Sequence, residues 1–361
     1  MSINEIIIYV MVFFAVVGAV DKIFGNKFGY GEQFEEGFMA MGALTLAMVG
    51  VISLAPVLAN LLKPVVVPLY SALGADPAMF GTTLLACDMG GYQLAKELAV
   101  NPQVGQFAGA ILGAMMGPTI VFTIPVALGI IKKDDQQYLA KGVLAGIITI
   151  PLGCFIGGLV AGLPAMLVLK NLTPIILVAV LIALGLKLAP NGMIKGFTYF
   201  GKFVTAVITV GLVAIIIETL TGIVVIPGMA PLSEGIKVVG DIAIVLAGAY
   251  PLVHFITKVF KTPLMKVGKL LGMNEIAAGG MIASLANSIP MFGMMKDMDE
   301  RGKVINVAFA VSAAFVFGDH LGFVAGVDPT MISSMIVGKL VGGISAVAVA
   351  YFMMRKPKDT K

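Results

Sequence analysis

The stretch Ala86-Cys87-Asp88-Met89-Gly90-Gly91-Tyr92-Gln93 decides how this chain is read. It sets a carboxylate, two adjacent glycines and a tyrosine inside an apolar run, Met79 to Val100. Nothing else in the first half of the chain is as polar at such depth. A second interruption, Ala286-Asn287-Ser288-Ile289-Pro290, lies inside the run Ile276 to Met295. The two interruptions are expected to face each other, held there by the rest of the chain.

Composition sets the class around them. Of 361 residues, 59% are hydrophobic and 12% charged, with a mean hydropathy of +1.01. A soluble domain carries roughly 25% charged residues. Apolar runs of about 20 residues or more recur, the length that crosses a bilayer as helix. In lipid the backbone must satisfy its own hydrogen bonds, so only helices or closed barrels span. The runs are too long for barrel strands, and the chain reads as an all-α polytopic membrane protein. Its net charge of +4 sits in short loops, as membrane topology requires, so no nucleic-acid partner is expected. Met1-Ser2-Ile3-Asn4-Glu5 carries no basic n-region, and the first run is read as a retained helix. The two cysteines form no disulfide framework, and with two distant histidines they do not suggest zinc. Walker A, HExxH and suitably placed GxSxG patterns are missing, so neither an enzyme nor a cofactor or metal is expected.

The apolar runs come as one pattern twice. In the first series Ile6–Val20 and Gly37–Ala59 are followed by a short segment, Leu61–Leu73, read as an interface helix. The interrupted run Met79–Val100 comes next, then Gly105–Ile131, Gly142–Leu169 and Leu172–Leu188. The second series has Phe203–Leu220, Val238–Ile256, the short Lys258–Leu271, the interrupted run Ile276–Met295, Val304–Val327 and Met331–Met354. Glu36-Gly37 and Glu234-Gly235 are 198 residues apart, and Gly50 and Gly248, Leu73-Gly74 and Leu271-Gly272 keep the same offset. Asp88-Met89 then falls on Ala286-Asn287, and with a small insertion Gly117-Pro118 corresponds to Gly318-Asp319. Repeats of this kind mark secondary transporters. The expected division is repeat 1 over 1–165, a linking transmembrane helix over 166–196, repeat 2 over 197–354 and a cytoplasmic tail over 355–361.

Lys132-Lys133, the Lys187–Lys202 group, Lys258–Lys269, Lys296–Lys303 and the tail should be cytoplasmic. That holds only if each interrupted run enters and leaves on one side. They are then re-entrant hairpins from opposite faces, and the two repeats are inverted. About nine full spans result, with the N-terminus outside and the C-terminus inside.

Asp88 leads the chemistry. A charged side chain at bilayer depth costs roughly 3 kcal/mol and needs a partner or a cavity. Either it contacts a substrate or ion, or it caps the second half of its own hairpin. Asn287 and Ser288 are the matching groups on the second tip, where the asparagine could instead satisfy backbone donors freed by Pro290. One acid facing neutral donors and acceptors suits a small monovalent organic cation. Gly117-Pro118-Thr119 and Gly318-Asp319-His320 interrupt two further spans, since proline and glycine weaken a helix. Asp319 is a candidate second acid, or else an ion-pair partner of Lys339 or His320. Lys339 would repel a cationic substrate and is expected to neutralise an acid. Tyr92 offers a cation–π face, although packing is its expected role. Gln93 could bond a hydroxyl. The many methionine and small residues are read as close helix packing.

Three segments carry a resemblance. Ala86-Cys87-Asp88-Met89-Gly90-Gly91-Tyr92-Gln93-Leu94-Ala95, Ala286-Asn287-Ser288-Ile289-Pro290-Met291-Phe292 and Phe317-Gly318-Asp319-His320-Leu321 resemble the bacterial ethanolamine-utilisation membrane protein family, over essentially the whole chain. The resemblance implies an ethanolamine permease in the cytoplasmic membrane, feeding a pathway that starts with a cobalamin-dependent ammonia lyase. Its partners would be ethanolamine and the lipid bilayer, with a homo-oligomer left open. Ethanolamine is an ammonium with a neighbouring hydroxyl. Asp88 would pair with the ammonium, and Asn287, Ser288 or Gln93 would take the hydroxyl. The repeated order of elements is also similar to concentrative nucleoside transporters. An ion-coupled carrier for a nucleoside or other solute is therefore the alternative, although a second acidic tip is missing.

Overall fold

The structure is a computed structural model that describes residues 1–355. The tail expected at 355–361 lies outside it apart from Arg355. The described residues form helices and turns, with no strand among them.

The chain opens with α1 (Ile3–Ile23) and α2 (Tyr30–Ala72). A broken segment follows, α3 (Ala78–Leu84), a 3-10 turn Cys87–Met89, and α4 (Gly91–Leu98). The next span is interrupted: α5 (Pro102–Ala110), a 3-10 turn Leu112–Ala114, one turn α6 (Met116–Pro118), a π-helical stretch Thr119–Thr123, and α7 (Ile124–Ile130). α8 (Gln136–Val160) and α9 (Ala165–Leu188) come next. The second series is α10 (Pro190–Thr221), α11 (Leu232–Leu270), the broken pair α12 (Glu275–Ala286) and α13 (Ser288–Met294), the interrupted pair α14 (Glu300–Ala313) and α15 (Asp319–Val327), and α16 (Ile332–Met353). Eight stretches are long and apolar enough to cross a membrane.

Two boundaries differ from the sequence expectation. The interface helices expected at Leu61–Leu73 and Lys258–Leu271 are not separate elements. α2 runs 43 residues through Pro56, Pro64 and Pro68, and α11 runs 39 residues through Pro251 and Pro263. At 1.5 Å per residue each is roughly 60 Å long, about twice the hydrocarbon thickness. Each proline removes one helix hydrogen bond, yet both helices continue through these positions. The boundary expected between Leu169 and Leu172 falls instead before Ala165. There Gly162, at φ +78°, and Pro164 end α8.

Pairings between the series build the core. α2 lies along α11, α8 along α16, α1 on α11 and α10 on α2. A Cβ at Gly50 would strike the Ile208 carbonyl of α10, and one at Gly248 the Met11 carbonyl of α1. Small residues that admit a neighbouring backbone are the usual glue of membrane helices.

Each broken segment starts and ends at one place. The Asp76 carboxylate accepts from Val100 N at 3.2 Å and Asn101 N at 2.7 Å. In the second series Asp299 accepts from Asn274 N at 2.7 Å, and Asn274 Nδ2 donates to Asp297 O at 3.0 Å. Asp76 and Asn274 are 198 residues apart, as are Asn101 and Asp299. The clamp is thus the same in both series, with the acid moved to the opposite end. α3 and α4 have 7 and 8 residues, and roughly 12 Å of helix cannot cross a core of about 30 Å.

Candidate functional site

The first break is turned by glycine. Gly90 holds φ +84°, a left-handed conformation that other side chains rarely adopt, and a Cβ there would run into Val51. Gly90 is also the N-cap of α4, with no side-chain cap bond. Asp88 therefore does not cap the helix. Its half-buried carboxylate makes no hydrogen bond to another described residue.

Cys87 Sγ, an Asp88 carboxylate oxygen and a His320 ring nitrogen lie within 4.8 Å of one another. His320 is 3% exposed, and its Nδ1 is 2.9 Å from Lys339 Nζ, itself 1% exposed. Lys339 Nζ also donates to the Ala114 carbonyl. An ammonium donating to Nδ1 puts the proton of a neutral ring on Nε2. Three donors this close have metal-like spacing, but the adjacent ammonium opposes a divalent ion there. The alternative for Asp319, an ion pair with Lys339 or His320, does not form among the described residues. Asp319 accepts instead from the Tyr250 hydroxyl at 2.5 Å. Lys339 turns instead to the Ala114 carbonyl, which the interrupted span leaves free because Pro118 has no N–H to reach it.

The second break is turned by a side chain. Asn287 is the N-cap of α13, and its Oδ1 accepts from Ile289 N at 2.8 Å. The backbone role weighed for it is thus real, and its Nδ2 makes no hydrogen bond among the described residues. Ser288 is fully buried, and its Oγ has no partner. The unwound stretch before α15 closes the end of α12: Phe315 N donates to Ser284 O and Phe317 N to Leu285 O, both at 3.0 Å. Phe315 holds φ +63°, a strained position for a bulky residue. Its ring packs on Phe122 of the π-helical stretch at 5.6 Å and on His320 at 5.2 Å. A Cβ at Gly117 would strike the Leu85 carbonyl, and one at Gly318 the Ala286 carbonyl. Each interrupted span therefore leans on the break of its own series, and residues 315–320 link the second break to Asp88.

The other candidates separate. Thr119 is fully buried and its hydroxyl lies 2.8 Å from Met115 O and 3.2 Å from Val311 O, so its donor is taken. Tyr92 donates to Asp328 at 3.1 Å, and its ring meets Phe323 at 5.8 Å. Asp328 also accepts from Gln106 Nε2 at 2.9 Å and Thr330 Oγ1 at 2.6 Å. Tyr92 is a packing and anchoring residue. Gln93 Oε1 is buried without a partner. Gln93 lines a polar pocket of about 340 Å³ with Lys96, Glu97, Glu234, Lys237 and Asp241, and Asp88 is not part of that lining. Tyr250, Asp328 and Phe315 carried no sequence signal. Tyr250 sits in an ordinary apolar run, and the other two matter only through their neighbours.

The geometry offers one unspent acid beside buried polar atoms, deep in a helical membrane chain. The family model described as "Ethanolamine utilisation protein, EutH" matches residues 3–353. A probable ethanolamine permease EutH of Listeria monocytogenes is 72% identical over 356 residues, 99% of this chain and 95% of that protein. A probable ethanolamine permease EutH of Salmonella typhimurium is 56% identical over 397 aligned positions, covering 99% of this chain and 97% of the relative. The uncharacterized protein YxeR of Bacillus subtilis is 54% identical over 353 residues, 98% and 95% of the two chains. None of the solved structures is significantly similar to this chain. The resemblance first carried by the three polar interruptions thus extends over nearly every residue, and the chain belongs to the ethanolamine utilisation protein EutH family.

Proposed function

We propose that this chain is an ethanolamine permease of the bacterial cytoplasmic membrane. It carries the protonated amino alcohol through a site near the bilayer midplane, between two re-entrant hairpins. The names of its relatives supply the substrate. The observation that carries the site is the Asp88 carboxylate, which makes no hydrogen bond to another described residue and sits at a helix break. An acid at that depth needs a partner or a water-filled cavity, and a visiting cation would supply the partner.

Asp88 pairs with the ammonium. Asn287 Nδ2 and Ser288 Oγ, both without a partner, take the hydroxyl. Gln93 belongs to a separate polar pocket on the way in. Asp319, held by Tyr250, adds negative field.

The inverted arrangement has its own support. Clamping both ends of each broken segment together suits hairpins that enter and leave on one side. With α14 and α15 counted as one interrupted crossing, the chain has nine spans, eight long stretches and this one. Distant polar contacts join ends expected on the same face. Lys303 Nζ meets Asp135 at 2.5 Å on the cytoplasmic side, and Asn4 meets Thr330 O at 2.6 Å and Ser333 N at 2.9 Å outside. These pairings suit repeats over 1–165 and 197–354, a linking helix over 166–196, an outside N-terminus and an inside C-terminus.

Radiolabelled ethanolamine uptake into proteoliposomes tests the reading, with choline, methylamine and uridine as competitors. Uptake should require Asp88 and resist uridine. Normal uptake by a folded Asp88→Asn variant would reject the site, and preferential loss to uridine would favour a nucleoside carrier.

A further inference from the structure

Lys339 lies mid-way along α16 and is 1% exposed. No carboxylate approaches its Nζ within 4.0 Å, whereas other lysines of the chain, Lys303 among them, have such partners. A buried charge without a counter-ion is costly, so its remaining contacts must be specific. One is the Ala114 carbonyl, at the turn where the first interrupted span loses its regular bonds. The other is His320 Nδ1, on the second interrupted span, at 2.9 Å. The same imidazole lies within 4.8 Å of Asp88. Lys339 thus touches both interrupted spans and stands one ring away from the open acid.

In carriers made from broken helices, unwound carbonyls commonly hold a coupled cation. Here a carbonyl of that kind holds an ammonium that belongs to the protein. We propose that Lys339 is a tethered second cation of the transport site, and that it restricts the site to substrates bearing one positive charge. This rests on Asp88 as the ammonium site.

Charge balance gives the reason. The charged and ionisable groups around the cluster are the carboxylates of Asp88 and Asp319, the thiols of Cys87 and Cys154, His320 and Lys339 itself. With both carboxylates ionised and Lys339 an ammonium, the cluster has room for one further positive charge. Ethanolammonium supplies it. A second positive charge in the same low-dielectric space would meet Lys339 with nothing to offset the repulsion. Ethylenediamine is the direct probe. It has nearly the shape of ethanolamine, with the hydroxyl replaced by a second amine.

The experiment measures uptake of radiolabelled ethanolamine and ethylenediamine by the full chain in liposomes, at an acidic pH where both amines of the probe are protonated. Wild type should take up ethanolamine and exclude the diamine. Lys339→Met should raise the ratio of diamine to ethanolamine uptake by about tenfold or more, because the repulsive element is gone. Lys339→Arg, which keeps the charge, should retain the discrimination. Comparable uptake of both amines by wild type would overturn the proposal, and so would an unchanged ratio in a folded Lys339→Met protein. If neither variant folds, the wild-type comparison alone decides. Failure of wild type to take up ethanolamine at all would strike the permease reading instead.

Discussion

At the first break Asp88 leaves its carboxylate unspent, whereas at the second Asn287 gives its carbonyl oxygen to the N–H of Ile289. Both breaks must turn the chain and restart a helix. The first does so with Gly90 in a left-handed conformation, and the second with a side-chain cap. A glycine that makes the turn frees its polar neighbour for a ligand, while a capping side chain has already used half of its capacity. The clamps repeat the lesson in reverse, since the acid is Asp76 at the start of one segment and Asp299 at the end of the other. The two breaks therefore share a hydrogen-bond pattern and differ in where the charge sits.

The sharpest way to break this comparison is to remove each polar group at the tips. Asp88→Asn should lower ethanolamine uptake by roughly a hundredfold or more while the protein stays folded, since a charged partner is lost at depth. Asn287→Ala should mainly cost about 1 kcal/mol of stability as a lost cap, with a smaller fall in uptake. Equal losses of uptake in both variants, measured in proteoliposomes, would mean that the tips are not different in kind.

Glycine comes next. Gly90→Ala meets both an unfavourable φ and Val51, and should destabilise by about 1–3 kcal/mol in a thermal melt in detergent. Gly279→Ala, in open space within α12, should be neutral or stabilising by up to about 1 kcal/mol. Similar melts for the two would remove the special status of the first turn. The clamps should behave alike: Asp76→Ala and Asp299→Ala each leave backbone donors unpaired and should each cost about 1–3 kcal/mol. A loss confined to one would argue against their equivalence. The smallest effects belong to the tyrosines. Tyr250→Phe and Tyr92→Phe should each cost about 1 kcal/mol. Only Tyr250→Phe should also change uptake, because the proposed site includes Asp319 and not Asp328.

The polar groups of the proposed site stand out in the sequence itself. Asp88 and Asn287 stand out because a polar group inside an apolar run costs free energy wherever the run folds. The interruptions at Gly117-Pro118 and Gly318 were visible for a similar local reason, although the first spreads across Ile111–Thr123 and the second begins at Ala314. The interface segments are not separate helices: proline reads locally as a helix breaker, yet α2 and α11 run on through theirs. The acid expected beside Lys339 is likewise not its partner. A chain of letters shows that a buried lysine needs company, but not that a freed carbonyl is nearer than an acid.

Composition and periodicity determined by themselves that the chain is helical and that it crosses a membrane many times. Those features follow from the cost of exposing backbone and charge to lipid, a cost paid residue by residue. Which groups stay free and which are consumed depended on the fold. Gly90 frees Asp88, Tyr250 holds Asp319, Asp328 takes Tyr92, and His320 and Ala114 receive Lys339. Hydrogen bonds need a partner within about 3 Å, and only the packing of helices from the two halves brings such partners together.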